Sequence, residues 1–159
     1  MENTITVSHQ RIQLKKNYED FTKNIESILM HLDPGYANNI LVDPKAVESY
    51  LANLNGETGL VLFDVQNHGD LLNLYGERKK AKQYVIGNPL IASQMTRQDI
   101  RASLYAPVRV IVYEGTDKRS YAEYDLPSSL FGQFGNAKIL EVAKSLDEKL
   151  QNAIRIADQ

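Results

Sequence analysis

The chain has 159 residues, 18 basic and 20 acidic, for a formal net charge of −2, with 43% hydrophobic and 24% charged side chains. That length buries a single core without staples, and the near-balanced charge weighs against nucleic acid, whose affinity comes from Lys and Arg clusters that neutralise phosphates. There is no cysteine, which excludes disulfides, thiolate metal sites, Cys nucleophiles and thiol redox chemistry.

No run approaches the roughly 18 apolar residues of a membrane helix. The N-terminus, Met1 to Gln10, lacks the basic and apolar regions of a secretory signal. The expectation is a cytoplasmic protein without membrane contact, and no cofactor is expected.

Residues 1–10 are polar without a period and read as a mobile arm, leaving residues 11–159 as one domain. Arg11 to Lys15 alternates apolar and polar, as a strand with one buried face does. Asn17 caps a helix over about 18–31, with Glu19 and Asp20 in its first turn and Phe21, Ile25, Ile28, Leu29 and Leu32 as its apolar stripe. Asp43-Pro44 opens a second, short helix closed by Asn55-Gly56. Gly59 to Val65 is apolar on both faces and reads as a covered strand. A one- or two-turn helix follows Asn67-His-Gly-Asp70 and ends at Gly76.

The basic run Glu77 to Lys82 reads as a solvated turn and strand entry. Next comes the stretch the chain is organised around. Lys82 to Ile86 is a strand, and Gly87-Asn88-Pro89 is a corner, because Pro89 pushes Asn88 out of the α region. Helical turns follow over Leu90–Met95 and Gln98–Leu104, with Thr96 as N-cap of the second. Pro107–Glu114 and Arg119–Asp125 form a hairpin across Gly115 to Lys118. In its first strand Val108, Val110 and Val112 share one face, and Arg109, Ile111 and Tyr113 the other. Pro127 starts a helical turn. Asn136 caps the last helix, whose stripe is Ile139, Ala143, Leu146, Leu150, Ala153, Ile154 and Ala157. This order predicts an α+β fold: one two-layer sandwich, its sheet mainly antiparallel, with helices packed on one face.

Chemistry is sparse. No nucleophile elbow, Walker loop, dinucleotide fingerprint or His-Glu-x-x-His pair occurs. His68 lies near Asp64 and Asp70, an arrangement that suits a general base oriented by a carboxylate if the three converge; otherwise His68 simply caps the short helix. No metal is expected there. Nine tyrosines in a chain without tryptophan are more suggestive. Tyr84, Tyr105, Tyr113, Tyr121 and Tyr124 fall on or beside the sheet, near Asn88, Arg109, Glu114 and Asp125. They read either as a polar, aromatic-walled pocket, or as cross-strand packing and a dimer face rich in Tyr and Arg. The pocket reading needs the Asn88 corner and the His68 turn to meet at one mouth.

In their order, Phe21 to Leu29, Asn67-His68, Gly87-Asn88-Pro89, Leu90 with Met95, Pro107 to Glu114 and Tyr124-Asp125 resemble the domain of unknown function 302 family. The likeness runs over roughly residues 11–157, with 33–58 as an insertion. This chain departs in that insertion and in having Ala106-Pro107 where the family has Leu-Pro. The resemblance implies a curved, TATA-binding-protein-like sheet and homodimers, and attaches no catalytic role to the matching His68, Asn88, Met95, Glu114 and Tyr124. With Tyr84, Arg109 and Tyr113, the last four make up the candidate ligand-binding set. The expected function is a homodimeric small-molecule or partner-binding module. The alternative is an enzyme using His68 and a nearby carboxylate as acid and base on a small polar substrate.

Overall fold

The computed structural model describes residues 1–159. Its order opens with β1 (His9–Gln13), α1 (Tyr18–Ile28), β2 (Met30–His31), α2 (Pro44–Asn53) and β3 (Val61–Asn67). It continues with α3 (His68–Leu71), β4 (Ala81–Gly87), α4 (Pro89–Thr96), β5 (Val108–Glu114), β6 (Ser120–Asp125), α5 (Pro127–Phe131) and α6 (Ala137–Ala157). Short 3-10 turns cover Pro34–Asn39, Leu72–Tyr75, Ile100–Tyr105 and Gly132–Phe134. The strands make one six-stranded sheet in the order β1-β6-β5-β4-β3-β2, antiparallel except for the β2–β3 pair. The α+β two-layer sandwich expected from the sequence is what forms.

Strand alternation decides which side is covered. Tyr84 and Ile86 on β4, Val108, Val110 and Val112 on β5, and Ala122 and Tyr124 on β6 are buried against the helices. From α1 come Phe21 and Ile25, and from α6 the whole expected stripe, Ile139 to Ala157, joins the same core. Each such apolar side chain contributes roughly 1.5–3 kcal/mol on leaving water. Val47, Leu51 and Leu54 form a smaller cluster with Leu32 and Val61. The opposite face of the sheet carries Arg11, Arg109, Ile111, Tyr113 and Glu123, none of them fully buried.

Local chemistry sets the helix starts. Asn17, Asp43 and Asn136 each accept a backbone N–H from the first turn of the following helix. Thr96 does not cap the turn after α4; Asp99 does, accepting from the Arg101 N–H. Helix α1 stops at Ile28, three residues early, because Met30 and His31 pair with Val61 and Leu62. At the other edge β1 begins at His9, inside the expected arm. The Ser8 carbonyl accepts from the Leu126 N–H at 2.8 Å and the Ser8 N–H donates to Ser129 Oγ at 3.0 Å. Residues 8–10 are therefore held by the sheet.

Candidate functional site

The sheet register separates the two turns that the sequence reading brought together. Val61 lies opposite Gly87, and Asn67 opposite Lys82. His68 thus follows one end of β3 and Asn88 leaves the other end of β4, a seven-residue strand about 20 Å long. There is no common mouth. The two carboxylates near His68 are also engaged elsewhere. Asp64 accepts from the Val65 N–H and from Gln66 Nε2, and Asp70 accepts from Asn67 Nδ2. Asn67, not His68, caps α3. No three His, Asp or Glu side chains in the chain are grouped to hold a metal ion, and His68 is exposed.

Asn88 has a different task from the one expected. It is only 4% exposed. Its Oδ1 accepts the Leu90 and Ile91 N–H groups, at 2.9 and 3.2 Å, which starts α4. Its Nδ2 donates to Asn55 Oδ1 at 3.1 Å and to the Gly59 carbonyl at 3.0 Å. Two acceptor and two donor positions are the whole capacity of an amide, so none is left for a ligand. Met95 is buried in the core.

Tyr84 faces the helices and is fully buried. Its hydroxyl donates to Glu26 Oε1 on α1 at 2.8 Å, and Lys82 Nζ reaches the same oxygen at 2.8 Å. Burial, then the Glu26 carboxylate, push the Tyr84 pKa far up. Burial also acts to raise the Glu26 pKa, but the hydrogen bonds from Lys82 and Tyr84 outweigh it and hold the carboxyl below its usual range. This is a clamp of α1 on the sheet. Tyr124 lies on the same covered face, its hydroxyl unpartnered and its pKa raised by burial; Gln151 faces it outside hydrogen-bond geometry. Glu114 is at the far end of β5, paired with Lys80 at 3.2 Å and Lys118 at 3.4 Å.

Only Arg109 and Tyr113 of the expected set lie on the bare face. There Tyr113 stacks on Tyr121 with ring centres 5.5 Å apart and donates to Glu123, and the Arg11 guanidinium sits 4.2 Å above the Tyr121 ring. Arg11 also meets Glu123 at 3.0 Å. His9 spans two carboxylates, Nδ1 to Asp125 at 2.8 Å and Nε2 to Glu123 at 2.9 Å. Arg109 joins none of these pairs. It lines a 470 Å³ cleft with His9, Gln83, Glu123, Asp125, Leu104, Tyr105 and Pro107, and Tyr124 of the expected set borders the same cleft. A second hollow of 320 Å³ lies on the other side of Pro107 and Val108, and Asn88 and Met95 line it. The set expected to form one pocket is spread over the core, the bare face and both ends of the sheet.

The His9 clasp sets a pH dependence. Hydrogen bonds to Asp125 and then Glu123 raise the imidazole pKa above its ordinary 6.5. A raised folded pKa means stabilisation that is complete below about 6.5 and lost as pH climbs through the folded value. The His9 ring protons should therefore titrate above 6.5 by NMR, and amide exchange along β1 should quicken through the same transition. His9→Gln should abolish that step. A midpoint at or below 6.5 would show that the clasp does not form in solution. The signal for this network was present in the sequence as two period-2 rows, His9-Arg11-Gln13 and Tyr121-Glu123-Asp125, but their pairing was not.

The family described as Domain of unknown function DUF302 matches residues 39–157, and the match takes in most of the 33–58 segment expected to be an insertion. The fold is similar to the crystal structure of an uncharacterized conserved protein DUF302 from Bacillus stearothermophilus. The TM-score is 0.66 at 11% identity, over 94% of this chain and 97% of that one. No curated protein matches the sequence. With a match over most of its length and a sandwich of the same architecture, the chain belongs to the domain of unknown function DUF302 family.

Proposed function

We propose that this protein is a binding module that works as a homodimer and associates through the bare face of its sheet. The observation that carries this reading is the make-up of that face. Helices α1 and α6 cover one side only, and the other presents Arg11, Arg109, Ile111 and Tyr113, with the buried Tyr121 ring packed beneath Arg11, the Tyr and Arg types enriched at interface cores. Its rim includes Leu104, which lines the cleft beside Arg109 and is exposed by 77%. The face also carries both signs of charge. Arg109 joins none of the ion pairs of Arg11 and His9, while Asp64 is exposed on the same face, which suits a surface meeting its own copy across a two-fold axis.

Sedimentation equilibrium tests the reading. The wild type should sediment as a dimer, and Ile111→Glu, which puts a carboxylate in the middle of the face, should give a monomer with an unchanged circular dichroism spectrum. A wild type that stays monomeric up to the highest soluble concentration would defeat it, as would an Ile111→Glu protein that remains dimeric.

A further inference from the structure

We infer that the hollow between α4, Phe63 and Tyr36 is a binding site for a small, flat, uncharged molecule that brings one hydrogen-bond donor. This goes beyond the dimer reading and does not depend on it. The hollow holds 320 Å³, about ten waters by volume and at the lower end of the range for ligand pockets.

Its first feature is an irregularity in the sheet. Leu62 pairs with Ile86 and Asp64 with Val85, so Phe63 is an extra residue with no partner on β4. Such a bulge gives up ladder pairing and re-aims a side chain. Here the half-buried Phe63 packs against the smaller cluster around Val47 and Val61 and also lines the hollow. Gly87 lies beneath it: a Cβ there would touch the Phe63 ring at 3.4 Å and crowd Pro107 Cβ at 3.3 Å. Tyr36 supplies a second aromatic wall. It lies just before the residues that the family match covers. Two aromatic walls select a flat occupant.

The polar groups define the rest. No charged residue lines the hollow, so an ion would lose its hydration without a partner, at a cost of several kcal/mol. The Asn88 amide is fully used. What remains is Ser93, Thr96 and the Tyr36 hydroxyl. Ser93 Oγ donates its proton to the Leu90 carbonyl at 2.7 Å, and Thr96 Oγ1 lies 3.5 Å from the Ser93 carbonyl. With its proton engaged, Ser93 Oγ offers only lone pairs, whereas the 3.5 Å contact of Thr96 is too long to tie up its proton. The Ser93 oxygen therefore takes an N–H or O–H from the occupant.

Indole is a probe with these properties: flat, neutral and carrying one N–H. Benzothiophene has the same outline without the donor. Amide chemical shifts of the labelled full chain, followed on titration, give location and affinity together. Indole should move the amides of Phe63, Gly87 and residues 91–96, and benzothiophene should bind about tenfold more weakly, the value of one hydrogen bond. Ser93→Ala should shrink that difference while keeping benzothiophene affinity. Ala92→Trp, which fills the hollow from α4, should remove both responses in a protein whose thermal unfolding stays cooperative. Indole shifts confined to the bare face, equal binding of the two probes, or undiminished binding to Ala92→Trp would each overturn the assignment.

Discussion

Replacing Asn88 by Ala is expected to lower stability by about 3 kcal/mol. Loss of an N-cap acceptor costs about 1 kcal/mol. Here the same side chain also ties the end of the α2 segment to α4 through Asn55 and Gly59. Asn55 is exposed and recovers a hydrogen bond to water, whereas the Gly59 carbonyl is half-buried and keeps part of the 1–3 kcal/mol penalty of an unpaired group. For a chain of this size each kcal/mol lowers Tm by about 2–4 °C, so a fall of about 6–12 °C is expected. Asn88→Asp separates the two roles. Asp caps as well as Asn, but it cannot donate to the Gly59 carbonyl and would leave a carboxylate facing that oxygen. Thermal unfolding of Asn88→Asp should therefore resemble Asn88→Ala. A Tm near wild type for Asn88→Asp would mean that only the cap matters and that the α2 segment is held by other contacts.

The same residue shows how far the sequence could be read. Gly87-Asn88-Pro89 marks a corner through local sterics and capping, both written in three adjacent residues. What the amide does with its donors depends on groups 29 and 33 positions away, and nothing local points to them. The long elements were readable for a related reason. Helix α6 repeats its apolar stripe over 21 residues, and every position of that stripe is buried. Strand β5 alternates from Val108 to Tyr113 as its valines demanded. By contrast β2 has two residues and no period, and exists only because β3 lies beside it. His9 looked like part of a polar arm because its partner Asp125 is 116 residues distant. Tyr84 and Arg109 sit on neighbouring strands and were expected at one site. Their phase in the alternation sends one beneath α1 and the other to the bare face, which a list of nearby polar residues does not reveal.

Gly69→Ala is the second large effect, and its cause is backbone against backbone. Gly69 is buried in α3, and a Cβ there would stand 2.2 Å from the Lys79 carbonyl oxygen and 2.8 Å from the Ala81 nitrogen. No rotamer change relieves this, since a Cβ has no torsion and both obstacles belong to the chain entering β4. Overpacking of this kind costs about 3 kcal/mol, at the upper end of its usual range, and a fall in Tm of about 6–12 °C is expected. Gly76→Ala calibrates the result. Gly76 has φ 72° and nothing within 4 Å of an added Cβ, so its substitution carries only left-handed strain of about 1 kcal/mol. If thermal unfolding finds Gly69→Ala no worse than Gly76→Ala, then α3 is not seated on β4 as described. The larger loss would fix the His68 turn as a joint of the β3–β4 connection, packed too closely on its neighbour to open, and the placement of His68 beside Gly69 would follow from that packing.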